Sequence, residues 1–195
     1  MKWLVGVDEA GRGPLAGPVT VGVAVVPIDF DWAVLQGVGD SKALKPKDRE
    51  AIFLLAGKLR EAGVLNFKTS ASSHTVIDRE GIVFAVNQAM SRALASLKIE
   101  PMECLVLLDG ALRAPSSFKR QRTIIKGDAT EKVIGLASIV AKVTRDRHMV
   151  QIASKYPAYD FDIHKGYGTK RHRDLIIKHG LSDIHRQSFC RHIQT

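Results

Sequence analysis

The segment Asp8-Glu9-Ala10-Gly11-Arg12-Gly13-Pro14-Leu15-Ala16-Gly17-Pro18 packs three glycines and two prolines into eleven residues, which forbids a regular helix and demands a shaped turn. β-Branched runs stand on both sides of it, Trp3 to Val7 and Val19 to Val26. In the second, Val19, Val21, Val23 and Val25 recur at the period of two that lines one face of a sheet. The chain therefore opens with two paired strands and a turn with unusual backbone freedom between them.

Downstream the period changes. From Pro46 to Arg60, Ile52, Leu55, Ala56 and Leu59 follow the spacing of an amphipathic helix, with Pro46 suited to its first turn and Gly63 to its stop. Val64 to Thr69 alternates as a strand, and Gly81 to Leu97 puts Val83, Val86, Met90, Ala93, Leu94 and Leu97 on one helical face. Cys104 to Leu108 reads as a buried strand ending in Asp109-Gly110. A short strand from Thr123 to Ile125 then leads through Lys126-Gly127-Asp128 into a long apolar helix from Ala129 to about Met149. Thr169 can cap a last helix running to His179, which Gly180 terminates. This order predicts an α/β fold over residues 1–155, a mixed β-sheet flanked by helices. A small C-terminal helical lobe, residues 156–195, is expected to belong to the same structural unit.

The length, 195 residues, suits one globular unit, and 45% hydrophobic with 25% charged residues excludes disorder as the main state. The net charge of +9 favours an extended anionic partner. Much of it is late: residues 142–195 hold eleven Lys or Arg against five Asp or Glu, together with six of the seven histidines. Cys104 and Cys190 form no CxxC pair, no run approaches the roughly 18 apolar residues of a membrane span, and Met1-Lys2-Trp3 leads straight into a strand. The expectation is a reduced, cytoplasmic monomer with no membrane association.

Three elements end in acid: the first strand in Asp8-Glu9, the apolar strand in Asp109, and the later short strand in Asp128. Ligands of open α/β sheets gather at strand ends, so these carboxylates are candidates for one site. Two carboxylates about 4 Å apart repel by roughly 4 kcal/mol at an effective dielectric of 20, so four together require cations. Oxygen-only ligation favours Mg2+ or Mn2+ over Zn2+, and two such ions can serve the attacking and leaving oxygens of a phosphodiester. Plainer roles compete. Asp109-Gly110 is a turn dipeptide, and Asp128 with Glu131 has the spacing of a capping box. Consecutive strand residues face opposite sides, so Asp8 and Glu9 share a site only if Glu9 lies beyond the regular strand.

The glycine loop is not a dinucleotide-binding fingerprint: its spacing is wrong, prolines follow, and a strand comes next where a helix is needed. Its glycines suit close approach of backbone to a ligand, with Arg12 at hand for phosphate. In His164-Lys165-Gly166-Tyr167-Gly168-Thr169, Tyr167 can stack on a base or sugar while lysines hold phosphate, although a core or surface tyrosine is the plainer reading. Ser41 and Lys42, with Lys142 and Arg145 on the long helix, are further candidate phosphate contacts against the alternative of solvated charge. The histidines lack the spacing and cysteine partners of a zinc site.

Taken together, the run Gly6 to Pro18 resembles the opening motif of ribonuclease HII. The resemblance extends in order through Asp40-Ser41-Lys42, Leu108-Asp109-Gly110, Lys126-Gly127-Asp128, the Ala137 to Asp146 helix, His164-Lys165-Gly166-Tyr167 and His185-Arg186-Gln187-Ser188-Phe189. It implies a ribonuclease H-like fold and an endonuclease acting on RNA–DNA hybrids and on DNA duplexes containing ribonucleotides, with 3′-hydroxyl and 5′-phosphate products. Carried over by position, the metal-site acids fall on Asp8, Glu9, Asp109 and Asp128. The segment touching the 2′-hydroxyl falls on Gly11, Arg12 and Gly13, and the stacking tyrosine on Tyr167. Lys42, Lys142, Lys165 and the late basic helix are expected to supply phosphate affinity. Arg12 and the early first strand distinguish the chain from ribonuclease HIII, which carries an extra N-terminal domain and usually a lysine in the glycine motif. The connection from Ala111 to Gly127 fits no motif. Two other classes compete: another nuclease on the same scaffold without a 2′-hydroxyl reader, and a non-catalytic nucleic-acid-binding module.

Overall fold

The computed structural model describes residues 1–39 and 44–193. Among these, five strands form one sheet: β1 (Trp3–Ala10), β2 (Val19–Pro27), β3 (Asn66–Ser72), β4 (Cys104–Asp109) and β5 (Gln121–Ile124), in the order β3-β2-β1-β4-β5. β1 to β3 pair antiparallel, whereas β4 joins β1, and β5 joins β4, in parallel. The sheet is therefore mixed, as the element order predicts. The helices are α1 (Pro46–Glu61), α2 (His74–Glu80), α3 (Ile82–Ser96), α4 (Gly127–Thr130), α5 (Lys132–Ala153), α6 (Phe161–His164), α7 (Lys170–His179) and α8 (Gln187–Cys190). No helix among the described residues is long and apolar enough to cross a membrane.

Alternation along the strands builds two cores. Val5, Val7, Val19, Val21, Val23 and Val25 pack with Ala85, Val86, Ala89, Met90 and Ala93 of α3 on one face. On the other, Ala24, Val26, Phe67 and Leu107 meet α5 through Ile134, Ala137 and Val140, and α1 through Ile52 and Ala56. α5 thus lies between the sheet and α1, which explains its apolar run. Gly6 lets it approach: a Cβ there would stand 2.1 Å from the Val133 carbonyl oxygen.

The long helix expected from Ala129 is broken. Glu131 is extended (φ −115°, ψ 111°), which separates the single turn of α4 from α5. Asp128 sits inside α4, and the residue before that helix is Lys126 in the left-handed region, so Asp128 is not the cap that the capping-box spacing predicts. The Ala111 to Gly127 connection covers the core: Leu112, Ala114 and Phe118 are buried in it, and Gln121 bonds the backbone of Ala114 and Phe118.

A third cluster joins Ala16 of the turn after β1 and Met149 of α5 to Tyr159 and Phe161. Tyr159 and Phe161 stack 5.5 Å apart, and His164, His172 and His185 are buried beside them. Burial, with His164 nearby, pushes His172 from 6.5 down to about 4; burial does the same to His185. His172 faces His164 and His185; His185 faces His172, Ser182 and Asp183, with His74 adding positive charge. A base with a lowered folded pKa contributes fully above its unfolded value, and its contribution is lost as acid protonates the unfolded chain. These two rings are expected to lower stability by roughly 3 kcal/mol or more from about pH 6.5 to about pH 4, offset in part by Asp8, whose carboxyl is raised to about 7 and favours the fold as acid is added. Chemical denaturation at stepped pH of the native chain beside His185→Phe isolates the histidine part, and identical pH profiles for the two would contradict it.

Candidate active site

The site begins where β1 outlasts its neighbour. β1 pairs with β2 as far as Ala10↔Thr20, but with β4 only as far as Val7↔Leu108. The edge of Asp8, Glu9 and Ala10 that faces β4 is therefore open. This corrects the expectation that Glu9 must lie beyond the strand: Glu9 is inside it, and both acids share a site because they flank the same unpaired edge. A cavity of about 280 Å³ fills the gap, lined by Asp8, Glu9, Ala10, Gly11, Arg12, Gly13, Asp109, Ser138, Lys142 and Tyr167. A larger cavity, about 510 Å³, lies behind Gly17 and Pro18 and has no carboxylate in its lining.

Asp8 points toward α5, where the Ser138 hydroxyl donates to it, and it also accepts the Glu9 N–H at 2.7 Å. Burial pushes its carboxyl up to about 7; the Glu9 and Asp109 charges add to the rise, while the two hydrogen bonds oppose it. Glu9 accepts from Arg12 Nη1 at 3.1 Å. Asp109, at the end of β4, accepts the Gly127 N–H at 2.7 Å, which ties the strand end to the start of α4. Asp128 is buried one residue further on and stands outside the cavity lining. Among the described residues no three Asp, Glu, His or Cys side chains are closed into a metal-holding cluster. The donors are nonetheless all carboxylate oxygens, and Asp8 is a carboxyl crowded by like charge, so the set suits a hard divalent cation once Glu9 leaves Arg12.

The glycine loop is held from behind by two buried arginines. Arg186 donates to the carbonyls of Gly11 at 2.6 Å, Arg12 at 2.9 Å and Gly17 at 3.0 Å. In a trans peptide the C=O and the following N–H point in opposite directions, so the Arg12 and Gly13 N–H groups are turned away from Arg186. Gly11 has φ 91°, and a Cβ there would stand 2.0 Å from Arg145 Nε. Gly11→Ala is accordingly expected to displace the loop and the buried Arg145, lowering the Tm and reducing cleavage at least about tenfold. Steady-state kinetics on the purified variant check this, and native kinetics would contradict it.

Arg145, expected at the phosphate-facing surface, is a correction. It is wholly buried and donates to Pro18, Lys165 and Ala16 carbonyls at 2.9, 3.0 and 3.2 Å, so its donors are committed to backbone. Lys165 is turned to the Asp162 carbonyl and lines a separate cavity with Arg49, Glu50 and Asp146. Lys142 remains at the site, 2.9 Å from Asp146 and with its Nζ 5.0 Å from the Tyr167 ring centroid. Tyr167 is exposed at the cavity rim. Ser41 and Lys42 lie outside the described residues. Arg186 was missed as a site residue because its partners lie 169 to 175 residues away; the only signal was an arginine in a motif near the chain end.

A family model described as Ribonuclease HII matches residues 5–192. A protein named Ribonuclease HII from Caldicellulosiruptor bescii is 46% identical over 192 residues, which cover 98% of this chain and 88% of the relative. The crystal structure of the ribonuclease H2 from Pyrococcus horikoshii OT3 is 29% identical with a TM-score of 0.72, covering 98% of this chain and 97% of that one. Bst-RNase HIII, solved in complex with Mn2+, shares the fold at 17% identity and a TM-score of 0.65, covering 92% of this chain and 63% of that one.

Proposed function

We propose, from the premise that this chain belongs to the ribonuclease HII family and is a hydrolytic nuclease of the ribonuclease H type, that it cuts the RNA strand of RNA–DNA hybrids. It also cleaves 5′ of ribonucleotides embedded in duplex DNA and leaves 3′-hydroxyl and 5′-phosphate ends. The observation that carries this reading is one cavity lined by Asp8, Glu9 and Asp109 together with the Gly11 to Gly13 loop and Tyr167. That shared lining supports the reading that the acids and the loop backbone act on the same nucleotide.

Asp8 and Asp109, with Glu9 and Asp128 completing the set, would hold Mg2+ or Mn2+; the related fold solved with Mn2+ supports this choice. Bound there, two such ions would supply the charge stabilisation that in-line phosphodiester hydrolysis needs at its attacking and leaving oxygens. The protein's own groups do the rest. The Arg12 and Gly13 N–H groups, turned from Arg186, donate to the 2′-hydroxyl, the group that distinguishes RNA from DNA. Tyr167 stacks on the nucleotide, and Lys142 contacts phosphate beside it. The basic segment 156–195, with Ser41 and Lys42, adds phosphate affinity that falls with salt. Two free buried cysteines, Cys104 and Cys190, suit a reducing cytoplasm.

The test is a DNA duplex carrying one ribonucleotide, compared with the same duplex made wholly of deoxyribonucleotides, in Mg2+ or Mn2+. Cleavage at the ribonucleotide, falling at least about a thousandfold on loss of the single 2′-hydroxyl, is expected; a site built to bond a hydroxyl rejects analogues lacking it by large factors. Equal cutting of both duplexes would favour another nuclease activity on this scaffold.

A further inference from the structure

The buried histidines of the lobe form a chain of hydrogen bonds whose directions are fixed by chemistry. Ser182 N–H donates to His185 Nδ1 at 2.9 Å, so that nitrogen carries no proton and the neutral ring bears it on Nε2. His185 Nε2 and His172 Nε2 are 3.0 Å apart, with His185 as donor. His172 therefore carries its proton on Nδ1, which donates to the Tyr167 carbonyl at 3.0 Å. His164 stacks on His172, with ring centroids 4.1 Å apart, and is itself held by the Gly166 N–H and the Tyr159 carbonyl. The neutral state of each ring satisfies the next, and the chain ends on the backbone of the residue at the cavity rim.

The other carbonyls of that segment are held in the same manner. Lys165 C=O accepts from Arg145, Gly166 C=O from the Leu15 N–H, and Tyr167 C=O from the Thr169 N–H besides His172. His172 is the side-chain donor at the position where the ring must be aimed. We propose that His172, oriented by His185, is a positioning residue that fixes the Tyr167 backbone and thereby presents the Tyr167 ring to the nucleic acid. The inference rests on the reading of Tyr167 as the stacking residue.

Two variants separate positioning from bulk. In His172→Asn the amide nitrogen takes the place of Nδ1–H and can still donate to Tyr167, while the bond from His185 is lost; in His172→Gln the amide oxygen takes the place of Nε2 and accepts from His185, and nothing donates to Tyr167. Each variant loses one buried hydrogen bond, so both lower the Tm. Steady-state cleavage of the single-ribonucleotide duplex is expected to show KM raised about tenfold in His172→Gln with kcat within about twofold, and native KM within about twofold in His172→Asn, a size in keeping with one stacked base. Tyr167→Ala is expected to raise KM about tenfold by itself, and Tyr167→Ala with His172→Gln to be no worse than Tyr167→Ala alone. Additive effects in the double variant, or equal KM for the Asn and Gln variants, would overturn the inference. Native KM in His172→Gln while Tyr167→Ala is impaired would overturn the positioning role alone, whereas native KM in Tyr167→Ala would overturn the stacking reading and the inference with it. Should the Gln variant not fold, His185→Phe, which removes the donor to His172, is expected to raise KM in its place, and native KM there would overturn the proposal.

Discussion

Asp109→Asn is expected to lower single-turnover cleavage by about a hundredfold to a thousandfold, the scale on which removal of one group that stabilises transition-state charge acts. The variant should still bind an RNA–DNA hybrid with a dissociation constant within about threefold of native. The amide oxygen of the new side chain can accept the Gly127 N–H that Asp109 accepts at 2.7 Å, so the join between β4 and α4 survives while the charge beside Asp8 does not. Without cation the loss of that charge relieves part of the crowding that raises Asp8, so the Tm is expected to hold or rise. Gel-shift binding, single-turnover kinetics and a thermal melt on one preparation measure the three quantities. Cleavage within tenfold of native, or binding lost together with the fold, would contradict the assignment.

Arg186→Met carries the largest expected effect on stability. Its guanidinium is wholly buried, and although burial, with Arg145 adding like charge, lowers its pKa to about 9, it is cationic at neutral pH. Replacing it strands the carbonyls of Gly11, Arg12 and Gly17 in a dry interior, and loss of one partner from such a buried arrangement costs about 3–5 kcal/mol. For a chain of this size that corresponds to a Tm lower by about 10 °C. Activity should fall more than the folded fraction does, because the Gly11 and Arg12 peptides lose the contact that turns their N–H groups outward. Arg186→Lys, with one compact ammonium for three carbonyls, is expected to recover only part of the Tm. Calorimetry beside kinetics checks both, and a Tm within 2 or 3 °C of native in the methionine variant (less than about 1 kcal/mol) would contradict the account.

Strand alternation and the glycine-proline turn made β1 and β2 legible, because both signals are local. The acids at Asp8, Glu9 and Asp109 were legible as strand ends for the same reason. The short helix α2 was not, since Ile77 is its buried residue and Gly81 breaks the pattern before α3. Asp128 looked like a cap because its spacing to Glu131 is local, whereas the left-handed Lys126 and the extended Glu131 are set by how α4 meets β4 and α5. Arg145 and Arg186 escaped for a different reason. A surface phosphate ligand and a buried carbonyl clamp use the same residue type, and only the fold decides which carbonyls converge on it. Lys165 likewise lies in the basic motif but turns into a neighbouring cavity.

The central claim is that carboxylates from separate elements hold divalent cations at the open edge of β1. Anomalous X-ray diffraction from crystals grown or soaked with Mn2+ tests it most directly. A peak within about 2.5 Å of oxygens from both Asp8 and Asp109, accompanied by release of Glu9 from Arg12, is the predicted result. Manganese bound elsewhere with the cavity between Asp8 and Asp109 empty, in crystals whose protein remains active in Mn2+, would contradict it.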